Sequence, residues 1–541
     1  MVDLYPILPE APLAKGGAEE VGNKAWNLMR LAQAGLPVPP AFVLPTSWRL
    51  RQGPAREAAL RQALTDGIAR LEIATGLKFG AARRPLLVSV RSGAATSMPG
   101  MMETVLDVGL NAETVEALIR LTGNPRLAWD SYRRLVQGYA EVVAELPTAP
   151  FDALVAAALE RGEASREREL DHRSLRALTL AMLDCFRALT GSDFPADPRE
   201  QLVRAATAVF LSWDSPRAVS YRRLNGIGEE GGTAVTVQSM VFGNAGGASG
   251  SGVGFTRNPA TGAPEFYYDF QFDGQGEDVV AGRQRLGDRD RLRAALPAVF
   301  ARLTAICREL EALFRDAQDF EFTVQSGTLF LLQTRRAKRT DWAALTIAAD
   351  MVAEGLLTPA EALERLHGID LEAVVRTSLK EPLPPPLATA LAAGVGVAVG
   401  AIALDADAVK RLVATGAPAI LVRRDTATTD IEGMALAVGI LTASGGRTSH
   451  AAVVARQLGK VCLVACPGLE IDLEQRQCRI GATLFDEGDF VSLDGNAGAV
   501  YPGRLVPLTE RPERALNAIA EWRRRAAQNS AAAASLSQII A

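Results

Sequence analysis

A run of prolines at Glu381-Pro-Leu-Pro-Pro-Pro386 divides the chain more sharply than any other feature of its sequence. Successive prolines fix the backbone dihedral φ and remove N–H donors, so they exclude helix and favour an extended, stiff connector. The chain has 541 residues, whereas a single hydrophobic core rarely serves more than roughly 250–300 residues. The sequence therefore predicts several domains, with a boundary at this run.

The regions before and after the prolines differ in pattern. Before them, short strand patterns alternate with amphipathic stretches such as Glu57 to Ile73 and Ser174 to Leu189, which is typical of an α/β or α+β region. After them, Gly394 to Gly503 is rich in Val, Ile, Ala and Gly and predicts a compact, β-rich α/β domain. Its predicted strands are Ala419 to Val422, Gly439 to Thr442, Val461 to Ala465 and Phe490 to Leu493.

We expect four parts along the chain. Residues 1–338 form a region with two lobes, and residues 339–386 form a helical segment followed by the proline-rich hinge. Residues 387–505 form the β-rich domain, and residues 506–541 form an Ala-rich helical tail. Neither a GxxxxGK[ST] loop nor a GxGxxG motif occurs, so a bound nucleotide would require another scaffold.

The composition fits a soluble globular protein without a general affinity for nucleic acid. The formal net charge is -4, which provides no general attraction to nucleic acid or anionic lipid. The N-terminus lacks a basic segment followed by an apolar core, and we expect a cytoplasmic location. The five cysteines form no CxxC pair, so we expect reduced, buried thiols rather than disulfides or a zinc site.

One of the three histidines has a distinctive context. His172 and His367 lie among charged residues, and we expect both at the surface. His450 lies between Thr442 and Gly459, where a strand pattern passes through a glycine turn into a helix pattern. Neutral imidazole is a competent nucleophile near pH 7. His450 is therefore a candidate nucleophile, with a purely structural role in helix capping as the alternative.

The helix predicted around His450 suits an attached phosphoryl group. Thr448 or Ser449 can cap it, Ala451 to Leu458 propagate it, and Gly459 can end it in the left-handed conformation. The free N–H groups and partial positive charge of a helix N-terminus stabilise a phosphoryl group on the ring. Arg447 and Arg456 are candidate additional partners.

Two segments before the prolines suit a polyphosphate. The strand pattern Pro85 to Ala94 delivers Arg91 to a Ser-Gly-Ala turn, where its guanidinium can bind phosphate by two parallel hydrogen bonds. Strand patterns at Thr233 to Phe242 and Val253 to Thr256 flank the glycine-rich Gly243 to Gly252 and predict a hairpin. Its tip can present N–H groups to phosphate, or it can be a disordered loop.

A second hairpin carries a candidate metal site. Strands at Gln318 to Gln325 and Leu329 to Arg335 surround Ser326-Gly-Thr328, and a three-residue loop with left-handed Gly327 separates the polar from the apolar face. That register pairs Phe322 with Leu332 and Val324 with Phe330 on one face, and Glu321 with Gln333 and Asp319 with Arg335 on the other.

Oxygen atoms of Glu321 and Gln333 can hold part of a magnesium shell, with phosphate and water completing it. Arg335 lies beside them as a candidate phosphate ligand. The alternative is an ordinary surface salt bridge between Asp319 and Arg335 on a hairpin.

Together these segments resemble the pyruvate phosphate dikinase family. Around His450 the resemblance rests on Ile431-Glu-Gly-Met434, Gly439 to Thr442 and Thr448 to Arg456, and it extends to Val500-Tyr501. In the N-terminal region it rests on Val90-Arg-Ser-Gly-Ala94, Ser97-Met-Pro-Gly-Met-Met102, Thr256-Arg-Asn-Pro259, Gln275 to Val280 and Asp319 to Arg335. The Ser97 to Met102 segment distinguishes the chain from phosphoenolpyruvate synthase, which lacks it.

The resemblance implies an ATP-grasp nucleotide-binding region followed by a mobile, swivelling phosphohistidine domain of β/β/α or α/β type. It implies that His450 accepts the phosphoryl group and that Thr448 matches a threonine modified by regulatory proteins in some members. The residues that it assigns to nucleotide, phosphate and Mg²⁺ binding are Lys24, Arg91, Asp319, Glu321, Gln333 and Arg335, with Glu321 and Gln333 on the metal.

Full-length members continue into a C-terminal α/β barrel that binds pyruvate or phosphoenolpyruvate, and we expect this site to be missing from the chain. The remaining parts imply that ATP and phosphate convert His450 to phosphohistidine with release of AMP and pyrophosphate. The phosphoryl group would reach pyruvate through a barrel on another chain. A phosphocarrier for another acceptor and a noncatalytic regulatory paralogue are alternatives, and the oligomeric state stays open, with a homodimer among the options.

Overall fold

The computed structural model describes residues 4–540 except 51–53, 97, 99–102, 165, 230, 277–287, 427–429 and 446–449. The chain forms two compact units. The first contains residues 1–252, 272–276 and 320–335, and the second contains residues 253–271, 277–319 and 336–541. The domain boundaries at residues 338, 386 and 505 remain predictions.

The strands up to residue 336 form two larger sheets and one two-stranded parallel ribbon, Lys78–Phe79 with Pro85–Leu86. These strands are β1 (Tyr5–Ile7), β2 (Ala41–Leu44), β3 (Lys78–Phe79), β4 (Pro85–Leu86), β5 (Val88–Gly93), β6 (Thr104–Val108), β7 (Ala234–Ser239), β8 (Gly250–Phe255), β9 (Tyr267–Phe272), β10 (Gln318–Gln325) and β11 (Thr328–Arg336). One sheet has the order β1-β2-β7-β5-β6 and the other has the order β11-β10-β8-β9.

This arrangement corrects the first hairpin prediction. The predicted strands on either side of the glycine-rich segment exist as β7 and β8, but they do not pair, because β7 lies in the five-stranded sheet and β8 in the four-stranded sheet. Segment 240–249 is therefore a connection between two sheets. Periodicity identified both strands, but it contains no information about which strand lies next to which.

The helices before β7 pack with the five-stranded sheet to form the core of the first unit, whereas the helices between residues 288 and 314 belong to the second unit. Helices up to residue 314 are α1 (Gly17–Gln33), α2 (Pro54–Thr75), α3 (Ala112–Thr122), α4 (Pro125–Val142), α5 (Ala149–Arg161), α6 (His172–Thr190), α7 (Pro198–Leu211), α8 (Pro216–Leu224), α9 (Asp288–Ala295) and α10 (Pro297–Phe314). Their start signals are local: the Asn124 side chain accepts the Leu127 N–H, and Pro125 occupies the first turn of α4. The core includes Phe42, Trp48 and Tyr139.

The described part of the remaining chain contains further helices and three sheets or ribbons. The helices are α11 (Asp341–Ala353), α12 (Pro359–Arg365), α13 (Ala406–Ala414), α14 (Ile431–Leu436), α15 (His450–Gln457) and α16 (Glu513–Ile540). The strands are β12 (Arg376–Leu379), β13 (Ala388–Thr389), β14 (Leu391–Gly394), β15 (Val397–Ala403), β16 (Ala419–Arg423), β17 (Gly439–Thr442), β18 (Val461–Val464), β19 (Leu469–Asp472), β20 (Gln477–Ile480), β21 (Thr483–Asp486), β22 (Phe490–Asp494), β23 (Ala499–Pro502) and β24 (Pro507–Glu510).

The β-rich domain is an eight-stranded sheet with helices against it. Its order is β13-β23-β22-β15-β16-β17-β18-β14, and β15 to β18 are mutually parallel. All four strands predicted for this domain are present as β16, β17, β18 and β22. Val409 of α13, Met434 of α14 and Ala452 of α15 are buried in a shared apolar cluster that supports this face.

The predicted helical segment 339–381 is only partly helical. Helices α11 and α12 confirm its first part, and they pack with α16 around Met351, Ile519 and Trp522. Residues 376–379, in contrast, form strand β12, which pairs antiparallel with β24 so that Arg376 lies opposite Glu510. The helical prediction was wrong there because the strand depends on a partner far along the chain.

Burial agrees with several simpler predictions. Cys307, Cys462, Cys466 and Cys478 are buried free thiols, and Cys185 is half-buried. No helix among the described residues combines the length and apolar character needed to cross a membrane.

Candidate functional site

Lys24 is held at the end of β5 by a kink in α1. Gly22 has φ 76° and ψ 151°, a conformation that is essentially restricted to glycine. A Cβ at this position would lie 2.0 Å from the Gly93 carbonyl oxygen. Asn23 donates its N–H to the Ala94 carbonyl at 2.9 Å. The backbone of α1 therefore contacts the turn that follows β5, and Lys24 lies directly beside it.

Arg91 connects β5 to the second hairpin within the same unit. Its Nη2 donates to Glu321 Oε2 at 3.2 Å, and its Nη1 donates to the Leu332 carbonyl at 3.3 Å and more weakly to Gln238 Oε1 at 3.5 Å. The Arg91 side chain is 14% exposed and that of Glu321 is 32% exposed. The pair is thus accessible from one side, as a ligand-binding arginine must be.

Lys24, Arg91, Glu321 and Arg335 form a group that we call the cationic cluster. Burial, together with the charges of Arg91 and Arg335, lowers the pKa of Lys24 to about 7, and Glu321 acts in the opposite direction. Two guanidinium groups and one carboxylate therefore act on the buried Lys24. Such an excess of positive charge in a partly desolvated place favours a bound anion.

The loop of the second hairpin differs from the predicted one. Strands β10 and β11 leave only Ser326 and Gly327 between them, with φ 50° and 80°, as in a type I′ turn. The predicted three-residue loop is therefore wrong.

The burial pattern of β11 explains why Gln333 and Arg335 still lie on a polar face although the loop is one residue shorter than predicted. Leu329 and Leu331 are buried, but the next buried position is Thr334 rather than Gln333. This shift of one residue in the alternation removes Gln333 and Arg335 from the buried set. Asn27 of α1 fixes the shifted segment by donating Nδ2 to the Thr334 carbonyl at 2.9 Å.

The two remaining predicted nucleotide ligands differ in exposure. Asp319 is buried on β10, two residues before Glu321 and therefore on the same face of the strand. Gln333 is half-buried on β11. The binding roles assigned to Asp319, Gln333 and the cationic cluster remain predictions.

The donor set suits a magnesium ion only in combination with a phosphate ligand. Within the described residues, no group of three His, Cys, Asp or Glu side chains could hold a metal ion by itself. Glu321 is accessible and Gln333 offers a neutral amide oxygen, and hard oxygen atoms are the ligands that Mg²⁺ prefers. Mg²⁺ usually keeps substrate phosphates and water in its shell, so this sparse set fits.

His450 is the first residue of α15, and residues 446–449 before it lie outside the described part of the chain. The following residues Ala451, Ala452 and Ala455 are completely buried, and Gly459 ends the segment with φ 63°. The predicted strand and helix are confirmed as β17 and α15, whereas the turn predicted between them includes residues 446–449, which the structure does not describe. The predicted partners Arg447 and Thr448 lie outside the described residues, as does the side chain of Arg456.

The other two histidines are exposed, as predicted: His172 at the start of α6 and His367 after α12. Neither is near the cationic cluster in sequence, and no role is assigned to them.

Sequence patterns did not reveal a second ionic group, although its arginine belongs to the Thr256-Arg-Asn-Pro259 motif. Arg257 donates to both carboxylate oxygens of Glu311 at 3.0 and 2.8 Å and to Glu354 at 2.6 Å. Asp350 lies 3.8 Å away. We call these four residues the Arg257 cluster. The sequence does not reveal this cluster mainly because its four residues lie far apart along the chain.

A network of amides around the glycine-rich segment was also missed. Asn244 is buried and donates Nδ2 to Asp130 Oδ2 at 2.9 Å, and its Oδ1 accepts from Gln275 Nε2 at 3.0 Å. The segment is therefore anchored by side chains, which argues against the disordered-loop alternative. An asparagine directly after a glycine in an otherwise small-residue segment was the available signal.

A cavity of about 1090 Å³ lies elsewhere in the first unit, against α2, α4, α6 and α7. It contains none of the predicted site residues. The volume of this cavity therefore does not identify the candidate site, whereas the charges and geometry of the cationic cluster do.

Comparisons with known families match the two halves of this description. A profile for the pyruvate phosphate dikinase AMP/ATP-binding domain matches residues 52–294, which include Arg91. A profile for the mobile domain of PEP-utilising enzymes matches residues 415–498, which include His450. The chain therefore combines a nucleotide-binding domain and a mobile domain of the kinds found in phosphotransferases.

Curated relatives confirm the resemblance to pyruvate phosphate dikinase. The chain is 42% identical over 492 residues to pyruvate, phosphate dikinase of Clostridium symbiosum, which covers 90% of this chain and 56% of the relative. It is 40% identical over 528 residues to the Rhizobium meliloti (strain 1021) protein of that name, covering 94% and 59%. For the chloroplastic protein 1 of Zea mays, identity is 41% with 90% and 52% coverage. The chain spans somewhat more than half the length of these relatives.

Proposed function

We propose that this chain is a phosphotransferase that uses ATP and inorganic phosphate to phosphorylate His450, with AMP and pyrophosphate as products. The observation that carries the proposal is the cationic cluster, in which Arg91, Arg335 and Glu321 act electrostatically on the buried Lys24 beside a glycine turn. It occurs in a chain whose second matched domain contains His450 at a helix start.

The chemistry balances in two displacements. In the first, the His450 imidazole nitrogen forms a bond to the β-phosphorus of ATP as the bridge between the α- and β-phosphorus breaks, and AMP leaves. In the second, an oxygen of inorganic phosphate attacks the terminal phosphorus of the pyrophosphohistidine. The bridge between the two phosphorus atoms breaks, pyrophosphate leaves, and one phosphoryl group stays on His450.

Each residue of the cluster has a defined task in this proposal. Lys24, Arg91 and Arg335 bind the polyphosphate and offset the charge that develops as AMP leaves. Glu321 and Gln333 would hold Mg²⁺, which neutralises phosphate charge when bound. Asp319 lies on the same strand face as Glu321 and belongs to the same polar surface.

Transfer to pyruvate is the finer part of the proposal. The curated relatives named pyruvate, phosphate dikinase support pyruvate as acceptor, with phosphoenolpyruvate as product, where a pyruvate-binding barrel is available. His450 would then alternate between two sites. The proline-rich connector at 382–386, which has no helix or strand, and the segment after residue 505 are the proposed hinges.

Labelling tests the first half-reaction. The full chain, incubated with Mg²⁺, inorganic phosphate and ATP labelled at the β-phosphorus, should acquire acid-labile, base-stable label. His450→Asn should acquire none, whereas His172→Asn and His367→Asn are matched controls and should label like the wild type. Label that persists in His450→Asn would refute the proposal.

Acceptor choice is tested by adding pyruvate to the labelled chain. Formation of phosphoenolpyruvate, either by the chain alone or with a separately expressed barrel domain, supports the dikinase reaction. Label that leaves only in the presence of cell extract favours a phosphocarrier for another acceptor. Failure to bind MgATP by calorimetry would favour the noncatalytic alternative, which the cationic cluster otherwise opposes.

A further inference from the structure

The connection between the two sheets of the nucleotide-binding region is fixed by a relay of directed hydrogen bonds. Asp130 of α4 accepts from Asn244 Nδ2 at 2.9 Å. Asn244 Oδ1 accepts from Gln275 Nε2 at 3.0 Å, and Gln275 Oε1 accepts from the Gly243 N–H at 3.4 Å. The three side chains Asp130, Asn244 and Gln275 are between 2% and 4% exposed.

The carboxylate at one end dictates the direction of the relay. Burial would raise the pKa of Asp130, but the guanidinium groups of Arg134 and Arg133 hold it well below its usual range. An ionised carboxylate only accepts hydrogen bonds, so the Nδ2 group of Asn244 must face it. The Asn244 carbonyl then faces Gln275, and the Gln275 carbonyl faces the Gly243 N–H. Each amide therefore has one orientation that satisfies both of its ends.

Close packing shows why the segment needs this anchor. A Cβ on Gly243 would lie 2.2 Å from the Gly274 carbonyl oxygen and 2.3 Å from Ser251 Oγ. The backbone at Gly243 thus passes directly against the 273–276 turn, and Gln275 belongs to that turn. The relay joins α4, the connection and this turn into one rigid unit.

The anchored segment also contacts the strand that carries Glu321. Phe242 donates its N–H to Gln325 Oε1 at 2.8 Å, and Ser251 Oγ and Thr323 Oγ1 lie 3.0 Å apart. Thr323 and Glu321 are on the same face of β10, two residues or about 7 Å apart. A displacement of the segment would therefore disturb its contacts with β10, which lie on the part of the strand that carries Glu321.

We propose that Asn244 is a positioning residue that fixes segment 243–249 as one wall of the nucleotide site, with Gln275 and Asp130 holding it in place. The inference rests on the proposed function, because it concerns the same site. Asn244 does not need to touch the nucleotide; it sets where the glycine-rich backbone and β10 lie relative to the polyphosphate.

Exchanging the carboxylate and the amide between positions 130 and 244 distinguishes a positioning role from a general effect on stability. Asn244→Ala removes the relay, and Asn244→Asp places a second carboxylate against Asp130. We expect both to weaken MgATP binding in calorimetry by roughly tenfold or more, the scale of a displaced supporting residue. In the labelling reaction the ATP concentration for half-maximal rate should rise more than the maximal rate falls. Asp130→Asn/Asn244→Asp restores one donor facing one carboxylate and should recover part of the affinity.

The control is Asn225→Ala, which alters an exposed asparagine of the same unit that bonds only locally to the Tyr221 carbonyl. It should bind MgATP like the wild type. The inference is overturned if Asn244→Ala and Asn244→Asp bind and label normally, or if the swap restores the unfolding temperature without the affinity. If Asn244→Asp does not fold, the result for Asn244→Ala decides. A wild-type chain that neither binds MgATP nor acquires label would refute the proposed function itself, and this inference with it.

Discussion

The two ionic clusters of this protein use similar side chains for opposite purposes. In the cationic cluster, Arg91 pairs with Glu321 at a partly exposed place, and Arg91 and Arg335 both act on the buried Lys24. In the Arg257 cluster, one guanidinium, whose side chain is 2% exposed, lies among three carboxylates. The first cluster gathers basic side chains where a ligand could reach them, and the second encloses one arginine among acidic side chains.

The pKa shifts follow this difference. Burial would lower the pKa of Arg257, but hydrogen bonds to Glu311 and Glu354 raise it above its ordinary value. The pKa of Lys24 falls to about 7 because burial and neighbouring cations act together. A buried charge that its neighbours already stabilise belongs to the scaffold, whereas a charge that they oppose is ready for an anionic ligand.

Removing the scaffold arginine should give the largest effect. Arg257→Met leaves Glu311 buried without its partner, and we expect a loss of about 3–5 kcal/mol in the free energy of unfolding. Chemical denaturation followed by circular dichroism measures it. A loss no larger than that of an exposed arginine such as Arg187→Met would show that the Arg257 cluster is not structural.

Replacing Arg91, the proposed phosphate ligand, should instead affect activity. Arg91→Met should lower the rate of β-phosphoryl labelling on the order of 100-fold, as loss of a charge-stabilising donor does, with an unfolding temperature close to that of the wild type. The reverse outcome, normal labelling with strong destabilisation, would place Arg91 in the same class as Arg257.

Adding one methyl group at the kink of α1 tests how Lys24 is placed. Gly22→Ala puts a Cβ 2.0 Å from the Gly93 carbonyl oxygen and requires a backbone conformation that costs about 1–3 kcal/mol outside glycine. We expect weaker MgATP binding together with reduced stability. Gly123→Ala, at a helix end with open space around it, should keep normal MgATP binding.

The smallest expected effect is a change in proton binding. With a pKa of about 7, Lys24 is mostly neutral at pH 8 in the free protein, and an adjacent polyphosphate raises that pKa. MgATP binding at pH 8 should therefore take up a fraction of a proton, measured by calorimetry in buffers of different ionisation enthalpy. Lys24→Met should abolish this uptake. Equal uptake by both proteins would contradict the assignment.

The same shift makes stability depend on pH in a defined direction. Because the folded pKa of Lys24 lies below its unfolded value, the folded state binds fewer protons between about pH 7 and pH 10.5. The contribution of Lys24 to the free energy of unfolding therefore rises with pH across that window. Lys24→Met should flatten this part of the profile.

Prediction from sequence succeeded where structure depends on neighbours along the chain. Strands β16, β17, β18 and β22, helix α15 and the left-handed Gly459 follow from short-range hydrophobic periodicity and turn chemistry. Strand and hairpin patterns indicated Arg91, Glu321 and Arg335, the family resemblance added Lys24, and the structure then brought these four residues together.

Prediction failed where pairing is distant. Strand β12 was expected to be helical because its partner β24 lies more than a hundred residues away, and β7 was paired with β8 because they are consecutive. The loop between β10 and β11 was predicted one residue too long, since the shift in alternation near Gln333 cannot be seen in a regular strand pattern.

The sequence by itself indicated most of the strands and helices, the helix that begins at His450 and the side chains proposed to carry the chemistry. Only the tertiary structure decided that Gly22 meets Gly93, that Asn244 connects Asp130 to Gln275 and that Arg257 is buried among carboxylates while Arg91 meets Glu321 at a partly exposed place. The physical reason is that helix and turn signals act over a few residues, whereas charge balance and close approach depend on segments that meet only after folding.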